Sequence, residues 1–244
     1  MIKALLLLLK FAKLGPVLKA SATMLISVGV YALIFGWWYA VGFVLLLLVH
    51  EMGHYVAARR LGLAVGLPTF VPFLGAWIEL KDQPMSVAQE AAIAFAGPFV
   101  GTIGATIALF LAHSYDSSLL LALAYSGFFI NLFNLVPVTP FDGGRIVAIL
   151  SPRIWLLGAP ILLGIFFLIP SPMFVVILIL LAPTIWHGLK SAWNRTPPSD
   201  NPRYYEATRE ERIRWGAYYL LLLGYLCAMT YQVHEQLAAT AHLR

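Results

Sequence analysis

The residues His50-Glu51-Met52-Gly53-His54 close an apolar run, Val41 to Val49. On a helix, positions i and i+4 lie one turn apart on one face, so His50 and His54 can present two imidazoles to a single metal ion. Glu51 leaves the same turn at a neighbouring angle, near enough to act on a water without being a ligand. Two histidines do not complete a catalytic zinc site, which ordinarily takes three protein ligands and a water. The rest of the chain must bring a third ligand to the same depth.

Asp142 is the candidate. Acidic residues are scarce in the apolar stretches, and Glu51 and Asp142 each stand beside apolar sequence near a helix end. A carboxylate at such depth is costly unless it is paired or bound to a cation. A divalent ion would stabilise both carboxylates and hold the two histidines neutral. The expected ligands are therefore His50, His54 and Asp142, around one catalytic ion. Glu51 is the expected general base, deprotonating water and then passing a proton to a leaving amine. Two imidazoles and one carboxylate suit zinc best. His113, His187 and His234 are each alone near a helix end, where an interfacial role is the simpler reading. Gly143-Gly144 lacks the Lys-Ser/Thr that completes a phosphate loop, and reads as a turn that lets backbone approach the site.

The elements that must position these residues are membrane helices. Of the 244 residues, 61% are hydrophobic and 11% charged, where a soluble domain carries about 25% charged. The expected fold is an all-α polytopic membrane protein with about six to seven transmembrane helices. A short re-entrant, β-like loop follows the metal-binding helix. The single cysteine, Cys227, excludes an internal disulfide framework and a cysteine-type zinc site. The net charge of +5 fits loops facing an anionic leaflet and calls for no nucleic acid. No small-residue cleavage site follows the N-terminal apolar run, so no cleavable signal peptide is expected.

In chain order, residues 1–20 read as a cationic amphipathic helix on the membrane surface, interrupted near Gly15-Pro16. Residues 21–150 form the catalytic transmembrane core. Within it, a short apolar segment (22–35) and the metal-bearing helix (40–60) lead into the irregular stretch 61–87, with β-prone Thr69-Phe70-Val71 and Ala76–Leu80. Helices over 88–112 and 119–136 follow; in the first, Gly97, Gly101 and Gly104 form a stripe expected to serve close helix packing. Residues 151–190 read as an accessory helical hairpin about Pro170-Ser171-Pro172, 191–212 as a cytoplasmic linker, and 213–244 as a last transmembrane helix and tail. With the N-terminus in the cytoplasm and alternating spans, every one of the 16 Lys and Arg except Arg244 falls on the cytoplasmic side. The same assignment puts His50, His54 and Asp142 together on that side.

Paired with Asn134-x-x-Pro137-x-x-Pro140-x-Asp142-Gly143-Gly144, the His50-Glu51-x-x-His54 motif resembles the site-2 proteases, intramembrane zinc metalloproteases. Ala96-Gly97-Pro98 is similar to that family too. The likeness covers roughly residues 40–150. It implies Asp142 as third ligand, in agreement with the choice made from its setting. It also implies that Asn134 belongs to the active-site region, in substrate or transition-state binding. The chain departs from the family by Phe141 where Leu is frequent, and by Gly101 where Asn is frequent after Gly-Pro. No stretch between residues 60 and 142 has room for a PDZ domain, nor the tail for a CBS domain, so a minimal form is expected.

The expected activity is hydrolysis of a peptide bond within or near a transmembrane segment of a membrane-protein substrate. The partners are that substrate, the lipid bilayer and a regulatory protein that the sequence does not name. The expected setting is a prokaryotic cell membrane, with the protein multi-pass and its site toward the cytoplasm. The rival class is a non-proteolytic membrane metal-binding protein or transporter. A transporter should show repeats with broken helices in matching places, and none is visible.

Overall fold

The computed structural model describes residues 2–82, 84, 86–168, 172–194, 201 and 203–242, with the side chains of 2–14, 168, 172–174 and 241–242 outside the description. Eight α-helices run in order among them: α1 (Ile2–Phe35), α2 (Trp37–Arg60), α3 (Val87–Ser114), α4 (Ser118–Asn134), α5 (Asp142–Val147), α6 (Gly158–Leu168), α7 (Pro172–Asn194) and α8 (Arg209–His242). A hairpin of β1 (Thr69–Val71) and β2 (Gly75–Trp77) lies between α2 and α3, and a 3₁₀ turn covers Pro152–Leu157.

Among the described residues, four helices are long and apolar enough to cross a membrane: Gly15–Phe35 of α1, α2, α3, and Val175–Asn194 of α7. Two shorter apolar segments, Ser118–Asn134 and Pro152–Phe167, accompany them. Apart from the bonds lost at Pro16, Pro98 and Pro183, such helices satisfy their interior backbone groups within the segment, the condition for crossing hydrocarbon. Their ends are set locally. The Ser86 hydroxyl accepts from Gln89 N and caps α3, and the Ser117 hydroxyl accepts from Leu120 N and caps α4. At the start of α8, Thr208 and Glu211 exchange bonds reciprocally: Thr208 N donates to Glu211 Oε2 (2.8 Å) and Glu211 N to Thr208 Oγ1 (3.1 Å).

The core lies where α2, α3 and α4 pack side by side, with α1 against α2 and α8 against α4. Val44, Ile93, Phe128, Leu135, Ile146 and Leu226 are nearly or wholly enclosed there. Large apolar side chains on other faces stay exposed, Leu33, Phe110 and Leu221 among them. Exposed leucine and phenylalanine on long helices is what a lipid-facing surface requires.

The expected β-like loop is present as a two-stranded antiparallel hairpin. Thr69 pairs with Trp77, Phe70 with Ala76 and Val71 with Gly75, and a separate bridge joins Val65 to Leu80. Phe70 N donates to Thr23 Oγ1 (3.3 Å) and Phe73 N to the Tyr31 hydroxyl (2.9 Å), fastening the hairpin to α1.

Several expectations need correction. The break at Gly15-Pro16 does not occur: α1 runs through Pro16. Proline removes one helix hydrogen bond, and a long apolar helix absorbs that loss more readily than an open turn would. The side chains of Lys3, Lys10 and Lys13 lie outside the described residues, as do Pro170 and Ser171 of the expected hairpin turn and residues 195–200 of the linker. The last helix starts at Arg209 rather than 213. Asp142-Gly143-Gly144 opens a short helix, not a free turn. The close approach at these glycines is to the Leu135–Thr139 backbone, against which a Cβ at either position would collide.

Candidate metal centre

The three expected ligands come from two elements. His50 and His54 share one face of α2, and Asp142 is the first residue of α5. Their exposures are 4%, 5% and 7%, and Glu51 beside them is 6% exposed. His50 Nε2 and His54 Nε2 lie 3.1 Å apart, and each meets Asp142 Oδ2, at 3.2 and 3.1 Å.

Hydrogen bonds on the far side of each ring fix its tautomer. His54 Nδ1 lies 2.7 Å from Ile93 O, a group that only accepts, so Nδ1 carries the proton and Nε2 bears a lone pair. His50 Nδ1 lies 2.8 Å from Asn131 Oδ1. Asn131 Nδ2 donates to Gly127 O (2.7 Å), which orients the amide so that its oxygen faces His50. His50 therefore also carries its proton on Nδ1 and directs a lone pair through Nε2. Two imidazole lone pairs and a carboxylate oxygen converge on one point. That arrangement needs a cation or a shared proton at its centre.

The triangle fits a metal ion. Tetrahedral coordination at about 2.0–2.1 Å spaces neighbouring ligand atoms by about 3.3 Å. The observed edges of 3.1–3.2 Å are close to that, and two neutral imidazoles with one carboxylate are a zinc-type donor set. Among the described residues, His50, His54 and Asp142 form the one group of three or more His, Cys, Asp or Glu side chains able to hold a metal.

The chain around the triangle is cut to fit. A Cβ on Gly97 would fall on the His54 ring, and one on Gly101 would fall on the Asn131 amide. The glycine stripe of α3 thus makes room for site side chains as well as for helix packing. Gly101, where the resemblance leads one to look for a polar residue, leaves the space that Asn131 fills from α4.

Asn131 is the residue that sequence reasoning missed. It is 2% exposed, and a buried amide within an apolar helix is itself a signal of function. The signal was overshadowed by Asn134 three residues on, which belongs to the recognisable motif. Asn134 is half-buried at the end of α4, with Nδ2 donating to Ile130 O (3.0 Å). Of the lone histidines, His113 bonds Gln236 on α8 (3.1 Å), away from the triangle. Replacing Asn131 by Ala should weaken zinc binding about 10–100-fold, as loss of a ligand's hydrogen-bond partner does. Competition with a chelating dye checks this. The helix should stay folded, because the change trims a side chain at constant backbone.

Residues 38–117 match Peptidase family M50. It is the site-2 protease family that the paired motifs resemble. The M50 segment holds all of α2 but Trp37, with both histidines and Glu51, then the hairpin and the whole of α3, and Asp142 lies outside it. A zinc metalloprotease of Methanocaldococcus jannaschii is 32% identical to this chain over 124 residues, covering 47% of this chain and 36% of that protein. The protein Rip3 of Mycobacterium tuberculosis is 34% identical over 140 residues, covering 52% of this chain and 35% of its own. The chain therefore spans about a third of the length of these curated relatives. The solved site-2 protease of Methanocaldococcus jannaschii aligns with a TM-score of 0.47 at 23% identity, over 73% of this chain and 89% of that one.

Proposed function

We propose that the chain is an intramembrane zinc metalloprotease, hydrolysing a peptide bond within or beside a transmembrane segment of another protein. The observation that carries this reading is the convergence of His50 Nε2, His54 Nε2 and Asp142 Oδ2 beside buried Glu51, on a helix apolar and long enough to cross a membrane. The M50 match and the relatives named as zinc metalloproteases support it.

In this reading His50, His54 and Asp142 hold one zinc ion, with Asn131 and Ile93 O keeping the two rings in register. A zinc ion so held supplies Lewis-acid polarisation of the scissile carbonyl and a lowered pKa for water. Glu51 takes a proton from the attacking water and delivers it to the departing amine. Its burial at 6% exposure keeps competing bulk water away from that transfer. Asn134, at the C-terminal end of α4, is assigned to contact with the substrate.

A transmembrane helix hides its scissile carbonyl within its own hydrogen bonds and must open locally before hydrolysis. Helix-weakening residues in the substrate should help. The β1–β2 hairpin offers an edge on which an opened segment can pair by strand addition. Proline placed one position at a time over residues 76–80 should cut cleavage at those positions whose N–H faces the substrate. Uniform activity across the set would remove the hairpin from the mechanism.

The positive-charge bias of the loops supports six to seven spans with the site toward the cytoplasm, and the archaeal and bacterial relatives favour a prokaryotic cell membrane. The test of the activity is incubation of the purified, zinc-loaded protein with a single-span reporter whose helix is weakened by Gly and Pro, with products identified by mass. Cleavage inside or beside the span is the expected result. An intact reporter, together with zinc uptake into sealed vesicles, would favour the metal-transport reading instead.

A further inference from the structure

Asp142 uses one carboxylate oxygen, Oδ2, toward the histidines. Its other oxygen, Oδ1, faces Arg145 Nη1 at 3.8 Å, one helical turn on in α5. Arg145 is itself held from outside: its Nε donates to Glu90 Oε1 (3.1 Å), in the first turn of α3. The other oxygen of Glu90, Oε2, accepts from the Tyr204 hydroxyl. Tyr204 is 5% exposed although it lies in the segment between α7 and α8. Both carboxylates flanking Arg145 are thus divided: Glu90 has one oxygen hydrogen-bonded to the guanidinium and Asp142 has one ion-paired to it, and each has its other oxygen on a second partner.

The segment that carries Tyr204 is tied down on both sides. Val87 N donates to Tyr204 O (2.9 Å) at the start of α3. Arg212 Nη1 donates to Ile149 O and Leu150 O, both at 2.7 Å, and Nη2 to Tyr205 O (3.2 Å). Residues 203–212 therefore bridge the N-terminal end of α3 and the residues just beyond α5. Burial, and then the Glu90 carboxylate, push the Tyr204 hydroxyl well above its usual range, so it remains a donor at physiological pH.

We propose that Tyr204, Glu90 and Arg145 are positioning residues that orient Asp142 for metal binding, so that residues 203–208, just ahead of α8, set the state of the metal centre. The inference rests on the metalloprotease reading above. Its physical basis is geometric. A carboxylate on a short helix is free to rotate unless its second oxygen is fixed, and partners of that kind tune metal affinity by about 10–100-fold in known sites. Arg145 can serve two carboxylates at once only because its guanidinium is a planar, preformed fork. Glu90 sets the plane of that fork, and Tyr204 sets Glu90.

The test measures zinc affinity of the full-length protein in detergent by chelator competition, beside steady-state cleavage of the reporter. Tyr204→Phe removes one hydroxyl and changes no charge, and should weaken zinc a few-fold. Arg145→Lys keeps the charge but loses the fork, and should weaken it about 10-fold. The double variant should be no weaker than Arg145→Lys alone, because Tyr204 acts through Arg145. In cleavage, kcat should fall with KM little changed, whereas general destabilisation would show as loss of folded protein in a thermal scan. Asp142→Asn is the reference for the site itself. If Asp142→Asn loses zinc while Tyr204→Phe and Arg145→Lys bind it like the parent, the relay is overturned and the metal site stands. Additive effects in the double variant would also overturn the relay. If Asp142→Asn binds zinc like the parent, the metal-centre reading fails first, and the relay with it.

Discussion

Replacing Glu51 by Gln should leave zinc bound and lower kcat for reporter cleavage by about 10²–10⁴-fold, the range attributable to a positioned general base. Glutamine matches glutamate in size and can still hydrogen bond, but it cannot take a proton at neutral pH. Glu51 is not one of the three converging ligands: those are His50 and His54 Nε2 and Asp142 Oδ2. Its loss therefore separates proton transfer from metal holding. Zinc content by atomic absorption should equal that of the parent, and KM should change little. A variant that loses zinc in parallel with activity would show Glu51 to be a structural or ligating group.

The second large effect is expected from a single methyl group. Gly97→Ala should reduce zinc affinity by more than about 100-fold and abolish cleavage while the helices stay formed. A Cβ at residue 97 falls on the His54 ring, against Nε2 itself. The ring cannot simply retreat, because Nδ1 is anchored on Ile93 O at 2.7 Å. Backing away would break that bond and leave the buried His54 Nδ1–H without its acceptor, at about 1–3 kcal/mol. Nor can α3 move outward cheaply, since Gly53 of α2 lies against the backbone of Ala96 and Gly97. Alanine is a better helix former than glycine, so far-ultraviolet circular dichroism should be unchanged or slightly stronger. Parent-like zinc binding by Gly97→Ala would mean that the packing of α3 on α2 is looser than described.

These two positions illustrate what the sequence could and could not disclose. His50, Glu51 and His54 were legible because their relation is local: helix periodicity alone puts the two imidazoles on one face. Asp142 was legible because a carboxylate in apolar sequence demands a partner. The hairpin was legible from clustered Gly and Pro around β-prone triplets. Asn131 was not assigned a role, because its contact with His50 depends on how α4 is rotated against α2. No spacing within α4 fixes that rotation. The same holds for Glu90, Arg145 and Tyr204, which lie far apart in the chain and meet through packing of α3, α5 and the segment before α8. The spacing of Gly97 and Gly101 points only to helix packing. Their further role appears only once the ring and the amide that occupy their missing side-chain volume are seen. Pro16 does not break α1, since in a long apolar helix the alternative of exposed backbone is worse.

The central claim is that one metal ion, held by His50, His54 and Asp142, is required for peptide hydrolysis. The most direct measurement strips the purified protein with a chelator, removes the chelator, and follows reporter cleavage as zinc is titrated back. Activity should vanish on stripping, return in proportion to added zinc, and reach its plateau at about one equivalent per chain. His50→Ala should show no return at the same zinc level. Cleavage that survives stripping, or that returns equally in His50→Ala, would contradict the account.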